Sequence, residues 1–212
     1  MITVAVSLIL LLFLACFGFY WDSREKDWTT STGSTFVMDT FVDQKFSGKQ
    51  SGLAVEKINE LLKNFENRFS AYVSSSEISR INQNAGLSYI QVSEETFDFL
   101  KTAKEYCKRS QGLFDITIGP LVDLWDITGE NPRVPDEREI QSVLKRVNYE
   151  DLLLREEDHS VMLRQEGQKL NLGGMAKGTA GALAIETAKS YGVHSGYLSV
   201  GGNIFTIGRK AD

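Results

Sequence analysis

The chain has 212 residues, of which 42% are hydrophobic and 24% charged, a globular composition long enough for one sizeable core. Its net charge of −5 and pI near 5.2 give no general attraction to nucleic acid, and no basic patch is interleaved with aromatics. Nucleic-acid binding is therefore excluded as a leading function.

From Ile2 to Trp21 there is no charged residue, and Leu8–Phe13 is almost purely aliphatic, so this segment is long enough to cross a bilayer as a helix. It is expected to be a signal peptide or a membrane anchor, residues 1–21. A basic n-region is missing, and Arg24 and Lys26 follow the run beside acidic neighbours, so orientation is not legible. Phe13-Leu14-Ala15-Cys16 resembles a lipoprotein cleavage box, which makes Cys16 a candidate for lipidation. Past that segment only Cys107 remains, so no disulfide can form within the domain. Residues 22–34 are polar and rich in Ser and Thr, as in a short tether, and place the start of the domain near Thr35.

Thr35–Phe46 alternates enough to predict a strand. The spacing of Leu53, Ile58, Leu61, Leu62, Phe65 and Phe69 predicts a helix over Ser51–Phe69 with one buried stripe. Ser74-x-x-Glu77 has the form of a capping box before a short helix carrying Ile78 and Ile81, which Asn84-Ala85-Gly86 stops. Tyr89–Val92 suits a brief strand. Ser93 should cap a helix through Phe97, Leu100, Ala103 and Cys107, with Gly112 beyond its end. Asp136 should open another helix, and Tyr149–Leu172 reads as three short strands. Gly201-Gly202-Asn203 between Tyr197–Val200 and Ile204–Ile207 reads as a hairpin turn. Strands and helices mix without a regular βαβ period, which predicts an α+β fold with a mixed or antiparallel sheet and packed helices over residues 35–212.

Two segments carry candidate chemistry. Asn171-Leu172-Gly173-Gly174-Met175-Ala176-Lys177-Gly178 runs into an alanine-rich helix expected from Thr179 to Lys189. Glycines allow close approach to backbone, free N–H groups at a helix start face a positive dipole end, and Lys177 adds a charge, so the junction can hold a phosphate. Close packing is the competing reading of the same small residues. The spacing fits neither a P-loop nor a G-x-G-x-x-G dinucleotide turn. In Gly112–Val122, two glycines and Pro120 predict an irregular backbone that presents main-chain groups to a flat ligand, with Asp115 either a ligand group or a turn carboxylate. His159 and His194 have no nucleophile motif near them and read as solvated, and no Cys/His pair has zinc spacing.

Six blocks stand in order: Met38-Asp39-Thr40, Phe69-Ser70-Ala71-Tyr72, Ser76–Asn82, Gly112–Asp115 with Gly119–Trp125, Asn171–Gly178, and Ser199–Asn203. Together they resemble the ApbE-like family of FAD:protein FMN transferases, over about Phe36–Gly208. The resemblance implies that FAD is a substrate, that Mg²⁺ is a cofactor, and that FMN is moved onto a threonine of an acceptor protein, in an exported protein held at the outer face of the cytoplasmic membrane or in the periplasm. It implies FAD contacts from Met38, Tyr72, Leu113, Phe114 and Asp115, phosphate contacts from Gly174 and Lys177, and a Mg²⁺ ligand in the Ala176 carbonyl. It also implies two alternatives, a non-catalytic FAD-binding protein and an FAD pyrophosphatase-type relative. The chain departs from the family pattern at Asp39, where Gly is usual, and at Ala182, where a carboxylate is usual. The pattern further continues with an aspartate, a threonine and a histidine around the metal, which find no counterpart before Asp212, so weak catalysis by this chain alone is the expectation.

Overall fold

The structure is a computed structural model that describes Phe13, Leu14, Phe17 and residues 28–127 and 129–209. The expectations for the N-terminal segment, including Cys16, lie outside the described residues. Among those residues no helix is long and apolar enough to cross a membrane. The described residues form two compact units, one of those up to Leu61 and from Gly181 onward, the other Leu62–Ala180.

In the first unit, β1 (Thr29–Val37), β2 (Thr40–Gly48), β6 (Val193–Val200) and β7 (Asn203–Ile207) make an antiparallel sheet in the order β1-β2-β6-β7. Thr29–Ser34, expected as part of a tether over 22–34, is strand instead, because it pairs with Asp43–Gly48. Its hydroxyls suit a strand: Thr30 Oγ1 lies 2.8 Å from Ser47 Oγ, and Ser31 Oγ lies 2.9 Å from the buried Ser51 Oγ. Val42, Phe46, Leu198 and Val200 alternate onto the buried face, as the two-residue strand period requires. The buried Ala54, Val55 and Ile58 of α1 (Ser51–Phe69) belong to the same unit. His194 is exposed, as expected, and its ring stacks on Trp28 with centroids 4.9 Å apart.

The second unit holds the rest of α1, α2 (Glu77–Gln83), β3 (Ile90–Gln91), α3 (Glu94–Arg109), α4 (Gly119–Trp125), α5 (Glu137–Leu144), β4 (Leu152–Arg155) and β5 (Ser160–Leu163). It also holds the start of α6 (Gly173–Ser190). Its sheet, β3-β5-β4, is antiparallel. Helix α1 has the predicted bounds, but Leu53 is exposed and Ala54 takes the inward position. Phe65, Phe69 and Phe99 cluster with centroids 4.4–6.1 Å apart, and buried Phe97 and Leu100 extend the core along α3. His159, expected in solvent, is half-buried, with one ring face tilted against Phe97 at 5.1 Å.

The capping residues sort themselves by geometry. Ser76, not Ser74, caps α2 by accepting the Ser79 N–H at 2.9 Å. That places Glu77 at the first helical position, from which its carboxylate reaches the cap of α3, accepting the Ser93 N–H at 2.8 Å, the Ser93 hydroxyl at 2.7 Å and the Thr96 hydroxyl. Asp136 opens α5, as expected from the sequence, and forms a reciprocal capping box with Glu139.

Gly119-Pro120 opens a helix instead of continuing an irregular loop, since proline suits the first turn. Of the three strands expected over Tyr149–Leu172, two form; the third stretch makes only a parallel bridge, Lys169 to Ile118. The Gly119 N–H donates to the Lys169 carbonyl at 3.0 Å, and a Cβ at Gly119 would lie 2.5 Å from that oxygen. Gly119→Ala is therefore expected to destabilise the fold by about 2 kcal/mol, read as a lowered urea midpoint, because backbone on both sides must move.

Candidate functional site

Two clusters gather the predicted blocks. In the first unit, Met38 and Asp39 are the central pair of the two-residue β1–β2 turn, both with φ of +54°. Positive φ at both positions is the type I′ turn, which Asp tolerates and Met does not favour, so Met38 is held in a strained conformation. The Gly201-Gly202 turn joins β6 to β7 at the same sheet end, with the Gly201 N–H donating to the Phe41 carbonyl at 3.3 Å. A Cβ on Gly201 would lie 2.7 Å from Thr40 Oγ1, so only glycine lets the turns approach this closely.

In the second unit, the glycine-lysine junction is already helix. Helix α6 begins at Gly173, six residues before the predicted Thr179. Two side-chain and backbone acceptors start it. Asn171 Oδ1 accepts the Gly173 N–H at 2.9 Å, and the Leu172 carbonyl accepts the Met175 and Ala176 N–H groups at 3.0 and 2.8 Å. The first-turn cradle expected from the sequence is thus mostly occupied by the chain itself. What stays open is the Gly174 N–H, which has no partner among the described residues. Lys177, three residues on and so on the same helix face, makes no ion pair or hydrogen bond among the described residues.

Around this helix start the structure brings Tyr72, Phe114, Asn171 and Lys169 together. Asn171 Nδ2 donates to Tyr72 Oη at 3.3 Å, and Tyr72 is 57% exposed, with its ring open to a ligand. Lys169 Nζ lies 5.7 Å from the Tyr72 ring centroid and pairs with Asp123 at 2.6 Å, which neutralises it locally. Phe114 packs against the first turn: a Cβ on Gly174 would lie 2.9 Å from its ring edge, so Gly174 serves packing as well as leaving its N–H open. Leu113, 95% exposed, stands at the tip of this loop with its apolar side chain unburied.

Asp115 already carries three hydrogen bonds from its own surroundings. Its Oδ1 accepts the Thr117 N–H at 2.8 Å and the Thr117 hydroxyl at 2.6 Å, and its Oδ2 accepts the Tyr149 N–H at 2.9 Å. Both oxygens hold the loop shape, so of the two open readings the turn carboxylate describes the geometry. Ala176 lies inside the first turn of α6 rather than in a loop, where its carbonyl belongs to the i→i+4 ladder. Among the described residues no three His, Cys, Asp or Glu side chains gather as metal ligands. These residues do not by themselves furnish the oxygen shell that Mg²⁺ requires.

Sequence reasoning missed Asn82, Asn171 as a cap, and the Lys169–Asp123 pair. Asn82 carried a faint signal as the last polar residue of its block; nothing local marked the others.

Comparison with known proteins places these features in a family. The model of the ApbE family matches residues 38–212. The chain is 30% identical over 175 residues to the FAD:protein FMN transferase of Klebsiella pneumoniae, covering 82% of this chain and 55% of that protein. It is also 30% identical over 162 residues to the one from Treponema pallidum, covering 74% and 45%. The crystal structure of the ApbE protein from Thermotoga maritima superposes with a TM-score of 0.80 at 31% identity, over 86% of this chain and 60% of that one. The flavin transferase ApbE from Vibrio cholerae gives 0.77 at 24% identity over the same shares, a likeness of fold. The chain spans about half the length of the curated relatives it matches.

Proposed function

Because the chain belongs to the ApbE family, we propose that it binds FAD and serves in the transfer of FMN to a threonine of an acceptor protein. The observation that carries this reading is a helix-start N–H, at Gly174, and an ammonium, at Lys177, neither with a partner among the described residues, beside the exposed Tyr72 ring. A pyrophosphate asks for donors and positive charge, and an isoalloxazine or adenine asks for an aromatic face. This helix start offers both.

In the transfer, the threonine hydroxyl oxygen forms a bond to the FMN-side phosphorus. The bridging P–O bond breaks, AMP leaves, and the hydroxyl proton passes to water. The chain's own groups act by positioning: Gly174 N–H and Lys177 hold phosphate oxygens, Tyr72 and Leu113 bear on ring surfaces, and Asp115 keeps the Leu113-Phe114 loop in shape. The uncharged run Ile2–Trp21 supports action outside the cytoplasm, at the outer face of the membrane.

The test is to incubate the full chain with FAD, Mg²⁺ and a threonine-containing acceptor protein and to follow flavin by fluorescence and mass. FMN joined to the acceptor supports transfer, release of FMN and AMP supports the pyrophosphatase alternative, and retained intact FAD supports the non-catalytic one. A chain that does not retain FAD overturns the proposal.

Met38 gives a separate prediction. Met38→Asn is expected to raise unfolding stability by about 0.5–1 kcal/mol, since Asn suits positive φ. If the strain at Met38 is kept for ligand contact, the same substitution weakens FAD retention, measured by quenching of flavin fluorescence; a stabilised variant with unchanged affinity removes Met38 from the site.

A further inference from the structure

Helix α2 grips the chain on both sides of the candidate site. At its start, Ser76 Oγ donates to the Ser70 carbonyl at 2.5 Å and the buried Ser79 Oγ donates to the Ala71 carbonyl at 3.0 Å. Ser70 Oγ in turn accepts the Tyr72 and Val73 N–H groups at 3.1 and 3.3 Å, so the backbone that carries Tyr72 is fixed from α2. Three residues beyond Ser79, and so on the same helix face, Asn82 holds a segment 88 residues away. Its Nδ2 donates to the Leu170 carbonyl at 3.0 Å and its Oδ1 accepts the Leu170 N–H at 2.7 Å.

Leu170 immediately precedes Asn171, whose side chain caps Gly173 and donates to Tyr72 Oη. An amide pair closed on both its donor and its acceptor fixes the position and the rotation of the peptide it grips. Asn171 has no such freedom left: its main chain is set by Leu170 and by its own N–H bond to the Ile116 carbonyl at 2.8 Å. Displacing Leu170 therefore moves the α6 cap and the Tyr72 contact together.

We propose that Asn82 is a positioning residue for the dinucleotide site, acting through Asn171 to set the Tyr72 phenol against the open N–H at the start of α6. This rests on the FAD-binding reading above, while its geometric content does not. Asn82 touches no ligand in this scheme. Its effect is to bring two ligand-facing groups, one from the α1–α2 loop and one from the start of α6, into a single arrangement before FAD arrives, which spares binding the cost of ordering them.

The experiment compares the full-length wild type with Asn82→Ala, Asn82→Asp, Asn171→Ala and the Asn82→Ala/Asn171→Ala double variant. Two readouts are taken: FAD affinity by quenching of flavin fluorescence, and amide hydrogen exchange of the free protein at Gly173, Met175 and Ala176. The expected result is an affinity loss of about tenfold for Asn82→Ala, equivalent to one well-made hydrogen bond. A smaller loss is expected for Asn82→Asp, which keeps the acceptor for the Leu170 N–H. Because both residues act along one route, the double variant should bind FAD no more weakly than the weaker single one. Exchange at Gly173 should rise in each Asn82 variant.

Losses that add in the double variant, or unchanged affinity with a lowered unfolding midpoint, would overturn the positioning role and leave Asn82 as scaffold alone. Should the wild type not retain FAD, the functional reading falls. Exchange then decides positioning by itself: faster exchange at Gly173 upholds the Asn82–Asn171 coupling, and unchanged exchange refutes it. If Asn82→Ala does not fold, Asn82→Asp carries the same two readouts.

Discussion

Lys177→Ala is expected to weaken binding of intact FAD by roughly ten- to a hundredfold while leaving riboflavin retention near that of the wild type. The size follows from a charge-assisted hydrogen bond to phosphate, worth about 1.5–3 kcal/mol. The selectivity follows from placement. Lys177 shares a helix face with the open Gly174 N–H and makes no ion pair among the described residues, so its ammonium is available to an anion without first giving up a carboxylate. Lys169 is not equivalent, because Asp123 already holds it at 2.6 Å. Parallel titrations of FAD, FMN and riboflavin, each followed by fluorescence at low ionic strength, make the measurement. Equal losses for FAD and riboflavin would take Lys177 away from the phosphate end. Added salt should narrow the gap between wild type and variant, since it screens a partly exposed charge.

The second large effect is on stability. Glu77→Ala is expected to lower unfolding free energy by about 2 kcal/mol, a figure already reduced because the carboxylate is partly exposed. The carboxylate accepts from the Ser93 N–H and hydroxyl and from the Thr96 hydroxyl, so its loss strips both the cap of α3 and the link between α2 and α3. The effect should depend on pH. Burial raises the Glu77 pKa, but the hydrogen bonds from Thr96 and Ser93 outweigh it and hold the group below its ordinary value of 4.5. A carboxylate with a lowered folded-state pKa stabilises fully above its unfolded pKa and loses that contribution as pH falls through the folded value. The difference in urea midpoint between wild type and Glu77→Gln should therefore be constant around neutrality and shrink in acid. A difference that grew on acidification would contradict this account. Because α2 also carries Ser79 and Asn82, loosening its junction with α3 should speed hydrogen exchange along the Ser70–Tyr72 backbone as well.

These expectations depend on different layers of information. Helix α1 was legible to its bounds, since Ile58, Leu62, Phe65 and Phe69 recur at a period that one helix face alone satisfies. The α3 and α5 caps at Ser93 and Asp136 were legible because capping chemistry is local, reaching two or three residues. The Gly201-Gly202 turn lies where the sequence put it, whereas Thr35–Phe46, expected as one strand, is broken by the Met38-Asp39 turn, because Met is not a usual turn residue and nothing local shows the positive φ that both adopt.

Residue order alone thus specified the alternation and periodicity of the elements, their local caps, and the ordered blocks that mark an ApbE family member. Tertiary structure alone decided which groups remain open to a ligand. Thr29–Ser34 looked like a tether because hydroxyl-bearing residues carry little apolar pattern; pairing with β2 made it a strand. Gly173-Gly174 looked like a break before a helix because glycine is a poor helix former, yet Asn171, steadied by Asn82 from far along the chain, starts the helix there. Asp115 could be read as a ligand group or a turn carboxylate until Tyr149, 34 residues on, tied its second oxygen to the loop. In each case the deciding partner is distant in sequence, and a hydrogen bond to a distant group leaves no trace in local propensity.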